Sequence, residues 1–139
     1  MIVVDTSVIV AYMNSGDDHH ATVTAWIEAV DDDLATTPLI VAEVDHLVRT
    51  RGGSRALTAL YADLTAGAYL VEWWTGAMSA CVRIAAQCTN LGIGLADASL
   101  VALADRLATT SIATLDERHF QMLRPLSGSG AFQLQPLDG

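Results

Sequence analysis

Four acidic residues of this 139-residue chain interrupt or close apolar segments, where leucine or valine is the usual residue. Asp5 closes the run Met-Ile-Val-Val and Asp116 closes Ile-Ala-Thr-Leu, while Glu43 and Asp97 each lie inside an apolar segment. Acidic side chains are rarely buried unless a partner compensates their charge. The chain has seven arginines and no lysine, and no arginine is adjacent to Asp5, Glu43 or Asp97. We therefore expect a bound cation, and a cation held by carboxylates favours metal-assisted chemistry on a phosphate.

Repulsion among the four carboxylates supports this interpretation. Two carboxylates about 5 Å apart repel each other by roughly 3 kcal/mol at an effective dielectric constant near ~20. A small domain of marginal stability cannot tolerate four ionised groups at such distances, so protonation or a divalent cation must relieve the repulsion. Ligands that are all oxygen select Mg²⁺ or Mn²⁺ over zinc or copper. The simpler alternative is that each acid only caps a helix or favours its dipole, which explains one acid more easily than four.

The elements that must position these acids are predicted from the spacing of apolar residues. Buried or edge strands are expected over residues 1–5, 34–37, 68–73, 111–115 and 132–135. Helices are expected over 6–13, 23–30, 38–50, 76–90 and 96–108, with a further helix whose apolar stripe runs from Leu57 to Leu64. Short strands that alternate with helices predict an α/β/α sandwich with a short, mostly parallel sheet. We expect a single domain over residues 1–139, because no linker or repeat divides the chain.

These elements would bring the four acids to one edge of the sheet. Asp5 and Asp116 each end a predicted strand, and ligands of open α/β sheets bind at the carboxyl ends of strands. Helical periodicity predicts Glu43 on the buried face of its helix and Asp97 at the border of the buried face, in the first turn of its helix. The other acids of the chain are expected to be solvated.

Composition excludes several other classes of protein. The net charge of −9 argues against binding nucleic acid by overall attraction, although local arginines could offset it. No apolar stretch approaches the ~20 residues that span a bilayer, and the N-terminus lacks the basic region of a signal peptide. We therefore expect a cytoplasmic protein without a membrane partner.

Cys81 and Cys88 lie about 10 Å apart along one predicted helix, too far for a disulfide, and are expected to be buried thiols.

Four motifs in this order resemble the PIN-domain ribonucleases, and within them the VapC toxins of type II toxin–antitoxin systems. The matching segments are Ile2–Ser7, Pro38–Glu43, Gly94–Ala102 and Thr114–Phe120. Each motif is short and weakly specific by itself, but the four in sequence are strongly specific and span nearly the whole chain. The expected fold is then a PIN domain.

The resemblance implies a metal-dependent endoribonuclease whose catalytic residues are Asp5, Glu43, Asp97 and Asp116. Asp5 and Asp97 would hold Mg²⁺ or Mn²⁺ directly, and the other two acids would do so directly or through water. Hydrolysis of the RNA phosphodiester would leave a 5′-phosphate and a 3′-hydroxyl. The family also implies a structured RNA substrate (tRNA or rRNA), inhibition of translation, a homodimer and a VapB-like antitoxin whose tail crosses the acidic groove.

Three hydroxyl residues are candidates for orienting a carboxylate or a water, namely Thr6, Ser7 and Thr114. Helix capping explains Thr6 and Ser7 equally well.

Several basic residues are candidates for contacts with RNA phosphates. Three arginines surround Gly52-Gly53, just beyond the helix of Glu43, and two further candidates follow Asp116. They are Arg49, Arg51, Arg55, Arg118 and His119. Solvated helix ends are the alternative explanation for the three arginines.

Two other functions stay open for a PIN fold. One is a non-toxic nuclease of RNA processing, and the other is a catalytically silent binding module.

Two unrelated classes with acids at strand ends are excluded. Aspartate-nucleophile phosphatases need a second acid where this chain has Ser7, and response-regulator receivers need a lysine, which this chain lacks.

Overall fold

The computed structural model describes residues 1–128 and 130–136. Within them the strands are β1 (Ile2–Val4), β2 (Leu34–Thr36), β3 (Leu70–Val71), β4 (Ser111–Ala113) and β5 (Gln133–Gln135). The α-helices are α1 (Thr6–Met13), α2 (His20–Ala29), α3 (Pro38–Arg51), α4 (Gly53–Ala66), α5 (Ala77–Gln87), α6 (Leu95–Arg106) and α7 (Glu117–Met122). A short 3₁₀ helix, Thr89–Leu91, precedes α6.

The five strands form one sheet in the order β3-β2-β1-β4-β5, and every neighbouring pair is parallel. β1 is central, with Val3 opposite Ala35 of β2 and Ile112 of β4. All three residues of β1 are buried, as a parallel strand covered by helices on both faces requires. The predicted α/β fold with a parallel sheet is confirmed.

Local sequence explains where the helices next to the sheet begin and end. Thr37 caps α3, because its Oγ1 accepts a hydrogen bond from the Ile40 amide at 3.3 Å, and Pro38 occupies the first turn. At the other end of the α3–α4 pair, Gly67 ends α4 with a φ of 78°, a conformation that side chains other than glycine disfavour. The carboxyl ends of β1 and β2 thus lead directly into α1 and α3.

The core lies between the sheet and these helices. α6 is buried over most of its length, from Ala98 to Ala104, because it packs against α5, α3 and β1. Phe120 of α7 is fully buried and belongs to the same apolar cluster. A helix enclosed in this way fixes the position of any side chain in its first turn, which is where Asp97 lies.

Two expectations about local structure were wrong in detail. The strand predicted over 68–73 is reduced to Leu70–Val71, since β3 is an edge strand that pairs with β2 alone. Cys81 is a buried free thiol as expected, but Cys88 is only partly buried because α5 ends at Gln87 and Cys88 caps it.

Within the described residues, no helix combines the length and apolar character of a bilayer-spanning segment.

Candidate active site

The carboxyl ends of β1 and β4 open into a pocket of about 500 Å³. Its walls come from the start of α1, the α1–α2 loop, α3, the first turn of α6 and the segment after β4. All four acids selected from the sequence line it, namely Asp5, Glu43, Asp97 and Asp116. The topology therefore brings together side chains that are up to 111 residues apart in the chain (from 5 to 116).

Asp5 is buried and held by two hydroxyl groups. Ser7 Oγ and Thr114 Oγ1 each donate a hydrogen bond to Asp5 Oδ2 at 2.9 Å. In turn, Ser7 Oγ accepts from the Leu115 amide and Thr114 Oγ1 accepts from the Asp116 amide, both at 2.9 Å. Each hydroxyl thus uses its only proton on the carboxylate, and the network joins the end of β1 to the end of β4.

This network counteracts the effect of burial on Asp5. Burial raises the pKa of Asp5, and the hydrogen bonds from Thr114 and Ser7 oppose that rise. Asp5 forms no side-chain cap of α1, so capping does not explain its position. The geometry is that of a carboxylate oriented by two neighbours, the arrangement expected for Ser7 and Thr114.

Thr6 has a different environment from the other two hydroxyl residues. It is buried and lines the pocket, and its Oγ1 forms no hydrogen bond within residues 1–128 and 130–136. A buried hydroxyl without a partner costs free energy, so an additional group in this pocket would stabilise it.

Asp97 is partly buried in the wall of the pocket, close to the other acids. Burial, followed by the nearby Asp5 carboxylate, raises the pKa of Asp97 to about 6, and His119 opposes the rise. Asp116 and Glu43 contribute further repulsion. The other three acids therefore all lie close enough to Asp97 to raise its pKa.

His119 lies between two of the acids. Its Nδ1 is 3.0 Å from Asp116 Oδ2 and 3.5 Å from Asp97 Oδ2, so α7 contacts the first turn of α6 through this ring. Arg118, its neighbour on α7, is exposed and does not line the pocket. Of these two candidates for RNA contact, only His119 is in contact with the acidic cluster.

The prediction that Glu43 occupies the buried face of its helix was wrong. The buried stripe of α3 consists of Ile40, Val44 and Val48, spaced four residues apart, and Glu43 is exposed beside it. Glu43 nevertheless lines the pocket, because that side of α3 forms one of its walls. Its carboxylate therefore faces a solvent-filled cleft rather than the core.

The three arginines near Gly52-Gly53 have three different environments. Arg49 Nη2 donates to both carboxylate oxygens of Asp45 at 3.3 Å and to Tyr61 Oη at 2.8 Å. Arg51, in the last turn of α3, lines the acidic pocket. Arg55 is exposed on α4 and is not part of the pocket wall. The structure thus places one of the three beside the acids.

Sequence reasoning missed two pairs of residues at this site. Asp17 and His19, which the sequence places in a loop with fortuitous metal binding as the less favoured alternative, line the pocket, and the His19 amide donates to Asp17 Oδ1 at 2.8 Å. Thr37 Oγ1 and Ser99 Oγ lie 2.8 Å apart and connect the start of α3 to the start of α6. The only signal of the second pair was a threonine directly before Pro38, which is typical of a helix N-cap.

The residues of the pocket fit a hard divalent cation in their chemistry. Apart from Arg51 and His19, the charged groups that line the pocket are carboxylates, which Mg²⁺ and Mn²⁺ prefer, and no arginine forms an ion pair with them among the described residues. In the same part of the chain, no three His, Cys, Asp or Glu side chains are already arranged to hold a metal. The acids surround a cleft and do not form a closed cage.

Comparison with known proteins identifies the family. The sequence matches the PIN domain family over residues 2–124. It is 40% identical over 136 residues to Ribonuclease VapC26 of Mycobacterium tuberculosis, covering 97% of this chain and 100% of that protein.

Two solved structures share the fold. The first is VapC20 of Mycobacterium tuberculosis, a sarcin–ricin loop cleaving toxin, with a TM-score of 0.75 and 22% identity over 81% of this chain and 87% of that one. The second is FitAcB from Neisseria gonorrhoeae, with a TM-score of 0.60 and 24% identity over 86% of this chain and 91% of that one. The chain belongs to the PIN-domain family and, within it, to the VapC ribonucleases.

Proposed function

We propose that this protein is the toxin of a VapBC-type toxin–antitoxin system, an endoribonuclease that depends on Mg²⁺ or Mn²⁺ and hydrolyses phosphodiester bonds in structured RNA. One observation carries the proposal: a chain that matches Ribonuclease VapC26 over nearly its whole length keeps four acids around one pocket, without a cationic side chain paired to Asp5 among the described residues. Cleavage of tRNA or rRNA in the cytoplasm would inhibit translation.

The acids have distinct tasks in this proposal. Asp5 and Asp97 are the direct ligands, and Glu43 and Asp116 bind directly or through water. When bound, the divalent cation lowers the pKa of a water and stabilises the charge that develops on the phosphate in the transition state. Catalysis requires the ligands to be ionised, which the hydrogen bonds to Asp5 favour.

The proposed reaction breaks the bond between phosphorus and the 3′-oxygen, and side chains around the acids position the groups that take part. Water attacks phosphorus in line with the bond to the 3′-oxygen, which breaks and leaves a 3′-hydroxyl and a 5′-phosphate. Ser7 and Thr114 keep Asp5 in one orientation throughout, because both also accept hydrogen bonds from backbone amides. The His119 ring lies against both Asp97 and Asp116, although its Nδ1 forms a hydrogen bond with neither.

Partners follow from the family. We propose a VapB-like antitoxin, whose tail crosses the acidic pocket, and a homodimer of the toxin. VapC20 cleaves the sarcin–ricin loop, but its 22% identity to this chain supports the fold alone. Identification of the RNA target therefore requires an experiment.

Mapping of new 5′-phosphate RNA ends after induction tests the proposal. Wild-type protein should produce a few sharp sites, and Asp5→Asn should produce none. Asp31→Asn is the matched control, since it removes one exposed carboxylate that does not line the pocket.

The alternatives make different predictions in the same experiment. A nuclease of RNA processing would trim precursor RNAs without arresting growth. A binding module would give identical maps for wild type and Asp5→Asn, although both are folded and free of antitoxin.

A further inference from the structure

The wall of the pocket formed by α3 carries both an acid and a base. Glu43, Leu47 and Arg51 all line the pocket, and they follow one another at intervals of four residues, which is one slowly turning stripe of a helix. Eight residues of helix separate Glu43 from Arg51 by about 12 Å along the axis. The pocket therefore extends from the acidic cluster towards a guanidinium group.

We propose that Arg51 forms a second phosphate subsite, which binds a backbone phosphate of the RNA next to the one that is cleaved. This inference rests on the proposed nuclease function and specifies how its substrate is held. Arg51 lies about 12 Å from Glu43 along the axis of α3, a separation that suits contact with a neighbouring phosphate of the strand.

Arg51 is free to make this contact. Within residues 1–128 and 130–136 it forms no hydrogen bond or ion pair, and it is the one arginine in the wall of this pocket. A guanidinium fork matches two oxygens of a phosphate, so an unpaired arginine beside a cleft is well suited to it.

The other two arginines of this region are unsuited, for different reasons. The charge of Arg49 is matched by Asp45, and Tyr61 from α4 completes that cluster. It therefore connects α3 to α4 outside the pocket. Arg55 is exposed but lies outside the pocket wall, which makes it a control for charge alone.

The negative charge of the protein is the reason that a cationic subsite would strengthen RNA binding. The protein carries a net charge of −9 and its pocket is lined by acids, so an RNA backbone is repelled on approach. A cation at the end of the cleft offsets that repulsion locally and orients the strand across Asp5 and Asp97.

The salt dependence of RNA binding tests the inference without requiring cleavage. The probe is a fluorescein-labelled U12 RNA, and its anisotropy is measured over a range of KCl concentrations with EDTA present. The parent protein is Asp97→Asn, free of antitoxin, which prevents cleavage by residual metal. Arg51→Ala, Arg51→Lys and Arg55→Ala are introduced into it.

We expect Arg51→Ala to weaken binding by roughly tenfold at low salt and to reduce the slope of log K against log salt by about 0.7, the value for one phosphate contact of a single strand. Arg51→Lys should retain most of the slope, and Arg55→Ala should leave it unchanged. Thermal unfolding of each variant checks that the fold is intact.

Three results would overturn the inference. The first is an unchanged slope in Arg51→Ala, and the second is an equal change in Arg55→Ala, which would indicate general charge. The third is normal RNA binding by Arg51→Ala with weakened binding of the co-expressed antitoxin, which would assign Arg51 to a protein partner.

A result that contradicts the proposed nuclease function can be distinguished from one that contradicts the Arg51 subsite. If wild-type protein produces no new RNA ends while Arg51→Ala still lowers the slope, the subsite stands and the nuclease proposal does not.

Discussion

At the scale of single residues, Asp5 and Asp97 differ in how their burial is compensated. Asp5 receives two hydroxyl donors at 2.9 Å, each of which is fixed by a backbone amide. Asp97 has a contact of 3.5 Å with the His119 ring and lies close enough to Asp5 for its carboxylate to be repelled. The charge of Asp97 should therefore destabilise the metal-free fold.

This difference predicts how the stability of the metal-free protein depends on pH. The pKa of Asp97 is about 6 in the folded protein, against 3.8 for an unperturbed aspartic acid, so the folded state binds more protons than the unfolded chain between these values. The free energy of unfolding should then fall as the pH rises from about 4 to about 6, and Asp97→Asn should reduce that fall. Allowing for partial exposure, we expect a difference of about 1–2 kcal/mol.

Urea unfolding in EDTA at several pH values measures this difference. Asp31→Asn is the control and should follow the wild type. A wild-type profile that Asp97→Asn leaves unaltered would show that the pKa of Asp97 is not raised in the metal-free fold. In the nuclease assay, Asp97→Ala should abolish cleavage while the metal-free fold stays as stable as the wild type or becomes more stable.

The hydroxyl network around Asp5 yields a second prediction. Thr114→Val removes a donor to a buried carboxylate and leaves the Asp116 amide without its acceptor, which should destabilise the fold by about 1–3 kcal/mol. Cleavage should fall about 10–100-fold, as is typical when a group that orients a metal ligand is lost. Thr114→Ser keeps the hydroxyl and should retain activity; full activity in Thr114→Val would show that the hydroxyl donor is not needed.

At the scale of elements, one buried contact sets the positions of two acid-bearing helices. Thr37 caps α3, which carries Glu43, and its Oγ1 contacts Ser99 of α6, which carries Asp97. Ser99 Oγ donates to the Ala96 carbonyl at 2.6 Å, so Thr37 is the donor between the two hydroxyls. Loss of this contact would allow the two helix starts to separate.

Thr37→Val should therefore affect stability and activity together. The loss of the cap and of a buried hydrogen bond should cost about 1–3 kcal/mol, and the rate of cleavage should fall because Glu43 and Asp97 are less well positioned. Thr37→Ser, which keeps the hydroxyl, should be close to the wild type in urea unfolding and in the cleavage assay. If Thr37→Val were destabilised but fully active, the contact would be structural only.

Apart from α7, the sequence predicted the order of these elements, because apolar periodicity reports burial. The helix α7 was not predicted, since its six residues are too few for a helical period to be recognised. The boundaries of α1 and α3 were nearly correct, since Asp5-Thr6 and Thr37-Pro38 are clear starting signals. The extent of β3 was overestimated, because pairing to a single neighbour at the edge of a sheet is a property of the tertiary structure. Whether the chain is one domain stays a prediction.

The acidic members of the site could be selected from the sequence, but their environments could not. An acid within an apolar run is an unusual local pattern, which is why Glu43 was found. Its exposure depends on a cleft that forms only when α3 lies beside the other elements of the pocket wall. The pairing of Arg49 with Asp45 and Tyr61 likewise requires the α3–α4 arrangement, and it distinguishes Arg49 from Arg51.

At the scale of the whole molecule, the net negative charge of the protein repels the proposed RNA substrate. Sixteen acidic and seven basic residues give the net charge of −9, and part of the excess surrounds the pocket. A divalent cation would both reduce the repulsion among the acids and reduce the repulsion of RNA. Binding of the cation should therefore be linked to the stability of the entire fold.

This linkage gives a prediction that requires no knowledge of the RNA. Mg²⁺ or Mn²⁺, if held as proposed by the native pocket and not by the unfolded chain, should raise the melting temperature, with a stabilisation of about 2.7 kcal/mol at a concentration a hundred times the dissociation constant. The shift should be larger above about pH 6 than below it, because protons compete with the metal for Asp97, whose pKa is about 6. Asp5→Asn should lose the shift, whereas Asp31→Asn should retain it. Differential scanning calorimetry at matched ionic strength measures these differences. Equal shifts in melting temperature for Asp5→Asn and Asp31→Asn would mean that the cation acts by screening the net charge. The grouping of the four acids around one pocket would then not be explained by metal binding.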